Sequence, residues 1–98
     1  MSSDDAISIL RAHEAELKAV GVRSLRIFGS VARDEAGAES DVDLEAAFEN
    51  VDALTLLDIA KLERHLSGLL GHRVELFQQG TFKEGLRERL EAEAVLAF

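Results

Sequence analysis

The stretch from Leu25 to Leu44, LRIFGSVARDEAGAESDVDL, limits the folds open to this chain more than any other. It begins inside a run, Val22 to Phe28, in which Leu25, Ile27 and Phe28 are apolar while Arg23 and Arg26 point elsewhere, so the run reads as a strand. Gly29-Ser30 breaks that strand, Val31 to about Glu35 fits a short helix, and Gly37 marks a loop. From Asp41 to Phe48 the residues alternate. Asp41, Asp43 and Glu45 fall on one face, and Val42, Leu44 and Ala46 on the other. A strand of that kind has one face to bury and one to leave polar, so something apolar must cover it on one side only.

The flanking segments supply that cover. Ser2-Ser3-Asp4-Asp5 reads as a capped helix start, and Ala6, Leu10, His13, Leu17 and Val20, with Ile9 alongside, then recur at helical spacing up to Gly21. On this pattern His13 lies on the apolar face, as a packed core or boundary histidine. A second helix is expected from about Asp52 to Gly71, with Leu56, Leu57, Ile59, Ala60, Leu62, Leu66, Leu69 and Leu70 as a broad apolar stripe. Arg73 to Phe77 is a third strand in which Glu75 is the one acid between apolar neighbours. Gln78-Gln79-Gly80 is a turn, and Thr81 with Glu84 makes a capping-box pattern for a last helix. Leu86, Leu90 and Ala94, with Phe82 and Phe98 at its ends, would form the buried side of that helix. The predicted order is α-β-α-β-α-β-α: an α/β (α+β) fold with a small mixed sheet of about three strands covered by helices. With 98 residues, 47% hydrophobic and 31% charged, and no proline, repeat or linker, residues 1–98 are expected to be a single domain.

The charge balance narrows the partners. A formal charge of −8 opposes the phosphate neutralisation on which non-specific nucleic-acid binding depends. The aromatic residues are all Phe and make up 5% of the chain, too few for a platform that stacks single strands. A polyanionic small substrate remains compatible if a divalent metal bridges it to carboxylates, and so does a basic protein partner. The absence of cysteine excludes disulfides and thiolate metal sites and suits a reducing compartment. No apolar run approaches the ~20 residues of a membrane span. The acidic start MSSDD lacks the basic region of a signal peptide. The expectation is an intracellular, cytoplasmic chain, complete as it stands.

Asp41 and Asp43, at i and i+2 on a strand, leave the same face roughly 6–7 Å apart. Two carboxylates so placed can share one or two magnesium ions whose other ligands are phosphate oxygens and water. They can equally be two acids on the solvated face of an amphipathic strand. A glycine after an apolar strand allows close backbone approach, and the helix start after it offers N–H groups to a phosphate. Ser30 adds a hydroxyl and Arg33, one turn on, a planar guanidinium for the same anion. A plain strand-to-helix turn also commonly contains Gly-Ser. Alone, each signal is ambiguous.

Together, Gly29-Ser30-Val31-Ala32-Arg33, a six-residue spacer and Ser40-Asp41-Val42-Asp43-Leu44 form a combined pattern that resembles the signature of the minimal nucleotidyltransferases, small members of the polymerase-beta-like superfamily. The leading helix, the VELF strand and a closing helix ending in Glu93-Ala94-Val95 are similar as well. The resemblance implies that Gly29, Ser30, Arg33 and Ser40 contact the nucleotide and that Asp41 and Asp43 bind magnesium. It implies that Glu75 takes the position of a third carboxylate, commonly Asp, as metal ligand or general base. Glu45 departs from the family pattern, and a solvated strand end is the expectation for it. His13, His65 and His72 show no ligand spacing. The resemblance further implies transfer of AMP from ATP, with magnesium, to a tyrosine hydroxyl of a HEPN ribonuclease toxin, this chain being the antitoxin. Two other readings stay open: a non-catalytic module that occludes its partner, and a catalytic subunit for a small-molecule acceptor.

Overall fold

In the computed structural model, residues 1–33, 41–80 and 84–98 are described. The expected contributions of Gly37, Ser40, Thr81 and Phe82, and the side chain of Leu86, lie outside them. The elements in chain order are α1 (Ser3–Ala12), α2 (Glu14–Ala19), β1 (Val22–Phe28), α3 (Gly29–Ala32) and β2 (Val42–Phe48). After a short helical turn, Val51–Ala53, come α4 (Leu56–Leu70), β3 (Val74–Gln78), α5 (Glu84–Glu93) and β4 (Val95–Leu96). The sheet order is β3-β2-β1-β4, with β1 antiparallel to β2 and β4, and β2 parallel to β3. This is the mixed sheet the sequence predicts, with one strand more.

The pleat separates a core from a site. Leu25 and Ile27 of β1, Val42, Leu44 and Ala46 of β2, and Val74 and Leu76 of β3 are all buried. With Leu10, Leu17, Leu66 and Leu70 from the helices they make one apolar cluster. Removing Leu44 or Leu66 to alanine is expected to cost about 2–5 kcal/mol, the usual range for a buried leucine. The opposite face carries Arg26, Phe28, Asp43, Glu45, Glu75 and Phe77, by the same alternation.

Local chemistry sets the ends of the helices. Ser2 caps α1 by accepting from the Asp5 N–H at 3.1 Å. Thr55 and Asp58 form a reciprocal capping box on α4, and Gly71 closes that helix at φ +68°, where a side chain would be strained. The predicted first helix is interrupted at His13. That residue lies half-buried at the break, a boundary histidine with its Nδ1 2.9 Å from Glu16 Oε2. The early part of the predicted stripe on α4 is also outside the core: Leu56 is 86% and Leu57 63% exposed, because the sheet meets only the later turns.

β4 occupies residues that helical periodicity assigns to the end of the last helix. The Ala94 N–H makes a helical bond to Leu90 C=O at 2.7 Å, and the chain then turns to pair Val95 and Leu96 with Ile27 and Arg26. Backbone bonds from Ala97 N–H to Leu25 C=O (2.9 Å) and from Leu25 N–H to Phe98 C=O (3.2 Å) extend the pairing. The free edge of β1 needs partners for its backbone groups, and this tertiary demand outweighs a two-residue helical preference.

Candidate active site

The site begins where β1 turns into α3. Gly29 has φ +73°, and a Cβ there would stand 3.3 Å from Asp43 Cγ and closer still to its Oδ2. Two separate constraints, left-handed backbone and close approach to a carboxylate, therefore require glycine. Val31 is buried and anchors the short α3 on the core, Ser30 is half-buried in its first turn, and Arg33 follows it, exposed. The Arg33 N–H closes the turn on Gly29 C=O at 3.2 Å.

Asp43 lies directly across from Phe28 on one side and from Glu75 on the other. The parallel pairing of β2 and β3 brings the two acids side by side. The Asp43 carboxyl is pushed up to about 6, first by desolvation, then by the neighbouring Glu75 and the charge of Asp41; Arg33 acts in the opposite sense. β3 is held at its outer edge by α4. The Val74 N–H donates to Ser67 Oγ at 3.0 Å and the Leu76 N–H to Glu63 Oε2 at 3.0 Å, fixing the residues on either side of Glu75.

Of the sequence-predicted residues, Gly29, Asp43 and Glu75 come together, with Ser30 on the same turn. Asp41 precedes β2 and acts on Asp43 through its charge. Among the described residues, no three histidine, aspartate or glutamate side chains already converge as a metal-ligand group. The donor set is nonetheless all carboxylate oxygen, the chemistry that hard divalent cations take, and its mutual repulsion is what a cation would relieve. Arg33 donates from Nη1 to Glu93 Oε2 at 3.0 Å.

Glu45 is not a solvated strand end. It is 5% exposed and accepts from Arg26 Nε at 2.7 Å, Arg26 being its direct partner across β1–β2. Arg26 also makes a two-pronged contact with Glu91 of α5 at 2.9 Å per bond. Periodicity did not disclose Arg26, Glu63 or Ser67. The available signal was weak: a basic residue in one strand and an acid in the next, and a serine amid the leucines of α4.

This fold, with a glycine turn packed on a strand carboxylate beside a second acid, matches a known class. The nucleotidyltransferase domain family matches residues 9–97, and the chain belongs to that family. A protein adenylyltransferase, MntA, of Thermococcus cleftensis is 38% identical over 96 residues, spanning 97% of this chain and 95% of that one. A solved structure described as a minimal nucleotidyltransferase superposes with a TM-score of 0.78 at 39% identity, covering 97% of this chain and 95% of its own. A chain from the complex of a tri-AMPylated Shewanella oneidensis HEPN toxin with its MNT antitoxin has a TM-score of 0.60 at 15% identity, covering 90% of this chain and 71% of its own. That last likeness is one of fold.

Proposed function

We propose that the chain is a protein adenylyltransferase serving as an antitoxin, which moves AMP from ATP to a tyrosine hydroxyl of a HEPN ribonuclease toxin in the cytoplasm. The observation that carries this reading is Gly29 packed against the Asp43 carboxylate with Glu75 at its side. The naming of the Thermococcus relative and the AMPylated toxin of the Shewanella complex supply the acceptor class. In the reaction, the tyrosine oxygen bonds to the α-phosphorus of ATP, the bond from that phosphorus to the bridging oxygen breaks, and pyrophosphate leaves. Glu75 accepts the hydroxyl proton. The Gly29-Ser30 turn, with Ser40 of the second motif, holds the triphosphate, and Arg33 adds a forked contact to it. Magnesium, bound through Asp41, Asp43 and Glu75, would stabilise charge on the attacking and leaving oxygens.

A binder that works only by occlusion gains nothing from Asp43 and Glu75 side by side, since their repulsion disfavours the fold. An apolar groove of about 530 Å³ lies at the other end of the β1–β2 pair, where a protein partner could be seated. It is lined in part by Val20, Phe48, Leu54 and Leu62, and Val20, Val51, Leu56 and Leu57 are exposed at this end. Incubation of the chain and its toxin partner with labelled ATP and magnesium tests the proposal. Label on the toxin, lost in an Asp41→Asn/Asp43→Asn variant, is the expected result. No label, with neutralisation intact in that variant, would favour occlusion, and label on a small hydroxyl compound would redirect the acceptor.

A further inference from the structure

Arg33 ends the short helix that starts at Gly29, the glycine packed against the Asp43 carboxylate, and its backbone N–H closes that turn on Gly29 C=O at 3.2 Å. Its Nη1 is 3.0 Å from Glu93 Oε2, the two side chains being 41% and 38% exposed. Glu93 is the last residue of α5, a helix that approaches the sheet through a pair of acids two residues apart. The first, Glu91, pairs with Arg26, which also serves the buried Glu45 and so has a structural task. The second pairs with Arg33, one turn from Gly29, to which the proposed function assigns a contact with the triphosphate.

We propose that Glu93 is a positioning residue that holds the Arg33 guanidinium in place of the triphosphate, and that ATP displaces it. The inference rests on the assignment of Arg33 to the triphosphate. The exchange is favourable because a partly exposed carboxylate gives way to a polyanion that the same planar fork can grip through two oxygens. Until then the pair limits the rotamers of a long side chain and keeps its charge next to the acids of the site. The end of α5 is thereby tied to the site without nucleotide and released from that tie with it.

Binding of ATP with magnesium to the purified chain, followed by titration calorimetry, tests this. Glu93→Gln keeps the shape and an acceptor but removes the competing charge, so ATP should bind roughly two- to fivefold more tightly, the span that exposed ion pairs cover. Glu91→Gln removes the same unit of charge from the same helix and should leave ATP affinity unchanged. In an Arg33→Ala background, Glu93→Gln should have no effect. An unchanged or weaker affinity in Glu93→Gln, or an equal gain in Glu91→Gln, would overturn the placeholder role, the latter by showing that overall charge or a loosened α5 is the cause. If Arg33→Ala weakens ATP binding while Glu93→Gln does nothing, the phosphate role of Arg33 stands and only the placeholder falls. An Arg33→Ala chain that binds ATP as well as the parent would remove both.

Discussion

Asp43 and Glu45 leave the same face of β2 two residues apart, and the sheet gives them opposite neighbours. Across the strands Glu45 meets Arg26, and Glu91 adds a second acid to the other side of that cation. Asp43 meets Phe28 on one side and Glu75 on the other. One row is closed by the protein's own charge. The other row sets two acids side by side next to a glycine turn, with Phe28 and not an arginine across from Asp43. The contrast shows how a small sheet can reserve a ligand site: by register alone, placing an arginine opposite one acid and withholding it from the next.

The largest break in that contrast comes from Asp43→Asn. If Asp43 holds the metal as proposed, transfer should fall by on the order of a thousandfold, since several kcal/mol of transition-state stabilisation would depend on that ligand. Stability should move the other way. The folded chain holds the Asp43 proton more tightly than the unfolded chain, so stability declines as pH rises from about 3.8 to about 6 and does not return above it. With the partial exposure of the carboxyl discounted, the asparagine variant should be about 1 kcal/mol more stable at neutral pH without added metal. Its stability should also lose the parent's decline across that window. Transfer assays and chemical denaturation at several pH values check both halves; a destabilised variant would mean that Asp43 supports the fold.

Arg26→Met attacks the closed row. It leaves Glu45 buried with no cation, at an expected cost of about 3 kcal/mol, read from the denaturation midpoint. Adding Glu45→Met should restore most of that loss, because the penalty belongs to the stranded charge and not to the missing pair. Glu75→Gln returns to the open row and should lower transfer roughly a hundredfold if its carboxylate takes the proton. It should also shift the Asp43 titration downward by removing the neighbouring charge, an effect visible in carbon NMR of the carboxyl groups.

Much of this was legible in the residues themselves. The alternation of Asp41 to Phe48 gave the faces of β2, Gly29 announced a close approach, and Glu75 stood out in an apolar strand. What sequence could not convey was what lies opposite. Periodicity assigns Glu45 to the polar face, yet only the register of β1 on β2 puts Arg26 against it and buries the pair. The same limit applies to Val95–Leu96, whose strand pairing is set by the unfilled edge of β1, and to Leu56 and Leu57, which continue a helical stripe beyond the area the sheet covers. His13 follows the period of the first helix but sits where that helix breaks, its ring turned to Glu16.

The smallest effect probes how the open row is held. β3 is an edge strand whose outer N–H groups at Val74 and Leu76 bond to Ser67 and Glu63 of α4, one on each side of Glu75. Ser67→Ala removes one acceptor from a partly buried N–H and should cost about 1 kcal/mol. If the two anchors serve to aim Glu75 and not merely to close the edge, transfer should fall several-fold more than the loss of folded chain explains. In the proposed reaction the decrease should appear mainly in the rate at saturating ATP, because proton acceptance by Glu75 belongs to the transfer step and not to ATP binding. A change confined to the ATP requirement would place the distortion at the nucleotide instead, and a change in stability alone would leave α4 as cover for the edge and nothing more.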